Sequence, residues 1–185
     1  LAIDNLSKAT TRARKISTIR IFFKYLSQEA SNEYRIDHNP ALTLKTPKKD
    51  KRLPKYLSLD DSKKLLEASE DEDNPNYARD FAITTLFLNC GMRLSELVGI
   101  NITDIDLNDC KLTVIGKGNK ERTIYLNKAC LKAISEYLEV RPKQGVQKDS
   151  KHSENALFLS SRKTRISNRT VQYIINQELK NAGLD

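Results

Sequence analysis

The stretch Asn89-Cys90-Gly91-Met92-Arg93-Leu94-Ser95-Glu96-Leu97 lies near the middle of this 185-residue chain, between two helical patterns. Before it, apolar spacing predicts a helix from about residue 76 to 89, and Gly91 stands where a C-terminal cap is expected. After it, a short helix is predicted over residues 94–98. Arg93 would begin that helix, where its guanidinium and free backbone N–H groups could face an anion. A surface ion pair between Arg93 and Glu96 is the plainer alternative.

After this short helix, the residue pattern changes from one typical of helices to one typical of strands. The runs 111–115 and 122–126 are rich in strand-forming residues, and a basic, glycine-containing segment at 116–120 joins them, which predicts a β-hairpin. Lys117 at the tip could hold a phosphate oxygen or donate a proton, and a rigid hairpin would place its ammonium accurately. An ordinary solvated turn is the alternative. The tip is not a P-loop, because Gly118 follows the lysine where Ser or Thr is required.

The remaining patterns are mainly helical. Apolar residues at helical spacing from Ile16 to Leu26 predict an N-terminal helix, and Ser58-Leu59-Asp60-Asp61 predicts a capping box that begins another. Asn127 is expected to cap a further helix, and the stretch Ser167-Asn168-Arg169-Thr170 is expected to begin the last one. The apolar run 156–159 is either a strand or a buried turn. The predicted fold class is therefore α+β, mainly helical with a small antiparallel sheet that includes the hairpin.

The segment 46–57 is bounded by proline and densely charged, and the composition changes on either side of it. Such a segment cannot bury itself, so we interpret it as an extended interdomain linker rather than a loop within one domain. The linker would separate a helical part, residues 1–45, from a second part, residues 58–185.

Composition narrows the class of protein. Lys and Arg number 32 against 24 Asp and Glu, which leaves a net charge of +8, and no apolar run approaches the roughly 18 residues of a membrane span. Without a signal peptide pattern, a cytoplasmic location is expected. Residues 1–52 hold 12 basic and 5 acidic side chains, and residues 151–185 hold 6 and 3. Basic ends around a near-neutral middle suggest surfaces that contact a polyanion, although a solvated basic face is also possible.

The cysteines and histidines give little support to a disulfide framework or a metal site. The cysteines are an odd number, Cys90, Cys110 and Cys130, without a C-x-x-C pair, and we expect them to be reduced and partly buried. His38 and His152 have no ligand partner three or four residues away. No metal or other cofactor is predicted.

Taken together, these segments resemble the tyrosine recombinases, also called phage integrases, and most closely the Xer-like branch. The resemblance covers nearly the whole chain in order, and Arg93 and Lys117 lie 24 residues apart, as in Xer-like members. The stretches that carry it are Arg20–Leu26, Asn39–Ala41, Pro47–Leu57, Asn89–Leu97, Asp104–Asp106 and Val114–Leu126.

The resemblance implies that DNA is broken and rejoined through a 3′-phosphotyrosyl link, without metal or nucleotide. Arg93 would hold the scissile phosphate, Lys117 would protonate the leaving 5′-oxygen, and Glu96 would support the site. Residues 1–45 would be the end of the helical core-binding domain and residues 58–185 the first part of the catalytic domain. The implied partners are duplex DNA, enclosed by a C-shaped clamp, and further subunits, as a homotetramer on DNA or with related recombinases.

The basic residues that we predict to contact DNA lie on several elements. Four of them cluster before and at the start of the last predicted helix, where side-chain charge and helix dipole both favour phosphate. Solvation of a loop is the alternative for this cluster. The full set is Arg14, Lys120, Arg122, Arg162, Lys163, Arg165 and Arg169.

The sequence also departs from the family pattern. The His-x-x-Arg segment, a later His or Trp, and the tyrosine that follows them have no counterpart among these 185 residues, and residue 1 is Leu rather than Met. We therefore expect a central fragment of a longer recombinase that does not cut DNA alone. A non-catalytic DNA-binding accessory protein derived from an integrase is one alternative. An RNA-binding protein is another, although its stacking platforms fit poorly with 6% aromatic residues.

Overall fold

The computed structural model describes residues 7–29, 33–48, 56–70, 73–116, 118–141 and 153–184. The chain divides into two compact units, Leu1–Lys55 and Tyr56–Asp185. This boundary falls inside the predicted linker 46–57, much of which lies outside the described residues, and the linker itself stays a prediction. Among the described helices, none combines the length and the apolar character needed to cross a membrane.

In the described part of the first unit there is one long helix, α1, Ala9–Gln28. The predicted apolar stripe from Ile16 to Leu26 is half-buried, whereas Ile21 and Phe22 on the same helix are exposed. The segment after the helix returns to it: Arg20 donates hydrogen bonds to the Leu44 carbonyl and, at 3.1 Å, to Thr46 Oγ1. The predicted N-terminal helix is therefore confirmed, and an arginine fastens the following segment to it.

Five helices form most of the described part of the second unit. They are α2 (Leu59–Ala68), α3 (Tyr77–Cys90), α4 (Leu94–Gly99), α5 (Lys128–Val140) and α6 (Asn168–Asn181), with two 3₁₀ turns at Ile102–Asp104 and Ser153–Asn155.

Local capping fixes where three of these helices begin. Ser58 Oγ accepts from the backbone N–H of Asp61 at 3.1 Å, and the Asp61 carboxylate accepts from the Ser58 N–H, which completes the predicted capping box of α2. Asn127 and Ser167 cap α5 and α6 in the same way with their side-chain oxygens. Each cap satisfies a backbone donor that the helix leaves unpaired.

The sheet is small and antiparallel, with strand order β1 (Ile105–Asp106), β2 (Lys111–Ile115), β3 (Glu121–Tyr125). The predicted hairpin is β2 and β3, in a register that pairs Leu112 with Ile124 and Ile115 with Glu121. Strand β3 begins at Glu121, one residue before the start of the predicted strand 122–126. Leu112 is buried, so this face of β2 packs into the core.

The core of the second unit lies between α3, α5 and the apolar run 156–159, which forms isolated bridges and a buried turn rather than a strand. The rings of Tyr137 and Phe158 stack at 5.4 Å, and the Tyr137 hydroxyl accepts from the Leu159 N–H at 3.1 Å. Arg141 donates to the carbonyls of Leu157 and Ala156, so a buried cation replaces sheet pairing for this segment. The α+β fold class is confirmed.

Candidate active site

Arg93 begins α4 directly after a sharp turn. Gly91 ends α3 in the left-handed conformation, φ 55°, which favours glycine because it has no Cβ. The backbone N–H of Arg93 donates to Glu96 Oε2 at 2.7 Å, so the glutamate closes the first turn of α4 as a cap. The predicted boundary between the two helices is thus confirmed, and Arg93 occupies the N-cap position.

Glu96 lies between two guanidinium groups. Arg93 Nη1 donates to Glu96 Oε1 at 2.8 Å, and Arg122 donates two bonds, Nη1 to Oε1 at 2.8 Å and Nη2 to Oε2 at 3.0 Å. The glutamate side chain is only 1% exposed, Arg122 is 39% exposed and Arg93 is 65% exposed. The carboxylate is therefore the buried anchor of the cluster, and the Arg93 guanidinium is its solvent-facing part.

This arrangement keeps Glu96 ionised. Burial raises the pKa of Glu96, but the Arg93 backbone N–H and the guanidiniums of Arg93 and Arg122 lower it by more, so the pKa lies below its usual value of 4.5. One carboxylate then faces two guanidiniums, which leaves one positive charge in excess. The cluster can attract an anion without any change in its own protonation.

Gly116, where the tip of the β-hairpin begins, lies beside this cluster. A Cβ added to Gly116 would lie 3.3 Å from Glu96 Oε1 and 3.9 Å from Arg93 Nη1, so the last residue before the hairpin tip is packed against both side chains. The Gly116 N–H donates to the Lys120 carbonyl at 2.7 Å and closes the tip. Lys117, the next residue in the chain, lies outside the described residues, and its role stays a prediction.

The other predicted DNA contacts fall into two groups. Arg14 on α1, Lys120 at the hairpin, and Arg162, Lys163 and Arg169 around the start of α6 are exposed. Arg165 is half-buried: its Nη1 donates to the carbonyls of Val98 and Ile100 at 2.9 and 3.1 Å, and its Nη2 donates to Asn101 Oδ1 at 2.6 Å. Arg165 therefore links the segment before α6 to the end of α4.

Two of these contacts were not foreseen from the sequence. Arg122 was predicted as a DNA contact, yet it binds Glu96 with both ends of its guanidinium. Arg165 was predicted to face phosphate, yet it donates to backbone carbonyls about 65 residues away. No pattern in the sequence around Arg122 or Arg165 indicates these distant partners. Among the described residues, no group of three or more His, Cys, Asp or Glu is arranged to hold a metal ion.

The chain is similar to proteins of known family. The phage integrase family matches residues 55–185. A tyrosine recombinase XerC of Caldanaerobacter subterraneus is 56% identical over 174 residues, which are 94% of this chain and 46% of that protein. A XerC of Alcanivorax borkumensis is 39% identical over 95% of this chain and 54% of that protein. The chain thus spans about half the length of the curated relatives it matches.

Solved structures show the same fold. XerH recombinase bound to palindromic difH substrate superposes with a TM-score of 0.78 at 20% identity, over 98% of this chain and 50% of that one. The crystal structure of XerA recombinase gives a TM-score of 0.60 at 25% identity, over all of this chain and 58% of that one. Together with the family match over residues 55–185, these similarities show that the chain belongs to the phage integrase family, the tyrosine recombinases.

Proposed function

We propose that this chain is the central part of a site-specific DNA recombinase, an enzyme that breaks and rejoins DNA through a 3′-phosphotyrosyl intermediate. The observation that carries the proposal is the Arg93 guanidinium, which Glu96 orients beside Gly116 at the start of the hairpin tip while most of its surface faces solvent. An oriented, exposed guanidinium at Arg93, together with the candidate general acid Lys117, suits a reaction at a phosphodiester.

Arg93 would stabilise negative charge at the phosphorus. One of its N–H groups is directed to Glu96, and a guanidinium has five such donors in a planar fork that matches two phosphate oxygens. The Glu96 carboxylate, itself fixed by Arg122, orients the fork before the substrate arrives. Because the donors are preorganised, little reorganisation is needed as charge develops in the transition state.

Lys117 would act as the general acid. It follows Gly116, where an added Cβ would lie 3.3 Å from Glu96 Oε1, so a phosphate bound at Arg93 would lie near the hairpin tip. The leaving 5′-oxygen is a poor leaving group unless it gains a proton as the P–O bond breaks. An ammonium beside phosphates keeps its proton at neutral pH and can supply it.

The tyrosine nucleophile would come from a segment other than these 185 residues, so this chain alone is expected to bind DNA without cutting it. The covalent intermediate would conserve the energy of the broken phosphodiester, which explains why the proposed reaction needs no nucleotide.

Duplex DNA is the proposed partner, with self-association into a tetramer on that DNA. Exposed Lys120, Arg162, Lys163 and Arg169 provide positive charge on the second unit, and Arg14 provides it on the first. The solved XerH structure contains its difH substrate, and a lambda integrase dimer has been solved on a core site. These relatives support DNA as the partner, whereas the number of subunits rests on the family resemblance.

The role of Lys117 can be tested in a full-length recombinase that contains this chain. Lys117→Ala should slow cleavage by about 10²–10⁴-fold with little loss of DNA binding, because the general acid acts in the transition state. A substrate with a 5′-thiolate leaving group, which departs without a proton, should restore cleavage in this variant. Arg93→Ala should not be rescued, because its proposed task is charge at the phosphorus.

Lys120→Ala is the matched control, since Lys120 lies at the other end of the same tip. Its loss should weaken binding more than it slows cleavage. If the thiolate substrate rescues both Lys117→Ala and Arg93→Ala, or neither, the general-acid role is wrong. A full-length protein that binds DNA but forms no covalent adduct would favour the accessory-protein alternative.

A further inference from the structure

Two cysteines lie close together where α3 ends and α5 begins. Cys90 is the last residue of α3, Cys130 is in the first turn of α5, and their Sγ atoms are 3.8 Å apart. Both are free thiols. Residues separated by 40 positions in the chain are thus brought to the distance of a thiol–thiol hydrogen bond, close to that from which a covalent bond can form.

The surrounding hydrogen bonds hold the two segments together. Asn127, the cap of α5, donates from Nδ2 to Asn89 Oδ1 at 2.7 Å, and its Oδ1 accepts from the Cys130 N–H at 2.9 Å. Cys90 therefore follows Asn89 in the chain, and Cys130 is hydrogen-bonded to Asn127. A bridge of this kind limits relative movement of the two helix ends and keeps the thiols facing each other.

The two thiols are not equivalent. Cys130 is fully buried, whereas Cys90 is only half-buried. The hydrogen bond between the two thiols lowers the pKa of Cys90, and the same contact, with burial, raises the pKa of Cys130. Since the thiolate is the nucleophile, Cys90 is the thiol that a small oxidant would meet and that would react first.

We propose that Cys90 and Cys130 form a redox-sensitive thiol pair whose co-substrate is a small hydroperoxide. The Cys90 thiolate attacks a peroxide oxygen, the O–O bond breaks, and the departing oxygen takes up a proton, which leaves Cys90 as a sulfenic acid. The Cys130 sulfur then attacks the Cys90 sulfur and expels the hydroxyl as water. In total, the two thiols lose two protons and two electrons, and hydrogen peroxide takes these up and becomes two molecules of water.

The product would join α3 to α5 three residues before Arg93. A disulfide requires an S–S distance of about 2.05 Å, so the two sulfurs must move closer from their present 3.8 Å. The closed loop of about 40 residues includes α4 and the whole sheet. The bond would therefore restrict the unfolded chain and stiffen the turn that positions Arg93. This inference rests on the thiol geometry and does not depend on the proposed recombinase activity.

The experiment uses the full chain with Cys110→Ser as the background, because Cys110 lies in a separate turn and would otherwise cross-link chains. Protein is treated with hydrogen peroxide, alkylated and digested, and the peptides are mapped by mass spectrometry. A peptide that joins Cys90 to Cys130, lost on addition of dithiothreitol, is the expected product. The oxidised protein should also unfold at a temperature higher by about 5–15 °C.

Variants Cys90→Ser and Cys130→Ser, in the same background, should form no such peptide and show no rise in unfolding temperature. Should Cys130→Ser not fold, peptide mapping of the background protein and of Cys90→Ser still decides the question. Oxidation that ends at Cys90 sulfinic acid with no joined peptide would overturn the proposal. A joined peptide without a rise in unfolding temperature would overturn the stiffening that we infer from it.

Discussion

Glu96 carries its negative charge in a place that water barely reaches, and the charge is tolerated because four N–H groups donate to it. Two of those donors belong to Arg122, which lies 26 residues away on β3. Removing one partner of a buried pair leaves the other uncompensated, and that penalty exceeds the net value of the pair itself. The Arg122 guanidinium is therefore a structural counterion for the proposed phosphate site.

Replacing Arg122 by Ala should destabilise the chain by about 1–3 kcal/mol, less than a fully buried pair because water partly reaches this side chain. Urea unfolding followed by circular dichroism measures the change. Lys120→Ala, at an exposed position on the same hairpin, should stay within about 0.5 kcal/mol of the parent. Arg122→Lys should recover only part of the loss, because an ammonium cannot form the two parallel bonds. Equal effects of Arg122→Ala and Lys120→Ala would contradict the counterion role.

The lowered pKa of Glu96 makes its contribution to stability depend on pH in a definite direction. A carboxylate whose pKa is lower in the folded state than the unfolded value of 4.5 stabilises the fold above that pH, and the contribution is lost as the pH falls through the folded pKa. At pH 7 the unsubstituted chain should therefore have a larger free energy of unfolding than Glu96→Gln. The difference between the two free energies should become smaller below about pH 4.5.

Urea midpoints measured between pH 7 and pH 3 for both proteins would test this. Asp61 and Asp109 also have lowered pKa values, from hydrogen bonds to Ser58 and Lys111. Both carboxylates are present in each protein, so their contribution cancels in the difference. A gap that stays constant down to pH 3 would show that charge on Glu96 does not stabilise the fold.

The helix ends were predictable because their causes are local. The cap residues Ser58, Asn127 and Ser167 act within three positions of themselves, and Gly91 ends α3 through its own backbone conformation. The hairpin was predictable because two runs of strand-forming residues, 111–115 and 122–126, are joined by a short glycine-containing segment. The two-residue strand β1 has no pattern of its own and exists because β2 pairs with it.

The contacts that hold elements together were not predictable in the same way. Arg122 and Arg165 appear in the sequence as ordinary basic residues, and their partners lie 26 and 64 to 67 residues away. A charge count identifies cations but cannot tell a counterion or carbonyl donor from a DNA contact. The resemblance thus located the site at Arg93 and Glu96, whereas the contacts that Arg122 makes with Glu96 became visible only in three dimensions.

Arg165 and Arg169 should now differ in their effects, although both were predicted as DNA contacts. Arg165→Ala would leave the Val98 and Ile100 carbonyls without these donors and should cost about 1–3 kcal/mol in thermal unfolding. Arg169→Ala, at an exposed position in the first turn of α6, should cost less than about 0.5 kcal/mol yet weaken DNA binding. If the two substitutions destabilise the chain equally, the bracing role of Arg165 is wrong.

At the scale of the whole molecule, the charge is uneven rather than merely high. The excess of +8 is concentrated near the two ends of the sequence. In the second unit, Arg162, Lys163 and Arg169 are exposed, whereas Lys63, Lys111 and Lys132 each have an acidic partner within 4.0 Å. A cation already compensated by a neighbour adds less to an anion-binding surface than one that is not.

The affinity of the chain for duplex DNA should therefore depend steeply on salt, and the dependence should come from particular residues. Each neutralised phosphate releases counterions, so the logarithm of the binding constant falls by roughly 0.9 per contact for each tenfold increase in salt. Changing Arg162, Lys163 and Arg169 together to Ala should reduce that slope by about 2–3, measured by fluorescence anisotropy between about 50 and 200 mM salt. The triple variant Lys63→Ala, Lys111→Ala and Lys132→Ala removes the same formal charge and should change the slope by less than about 1. If both triple variants lower the slope equally, net charge rather than the surface at the start of α6 governs binding.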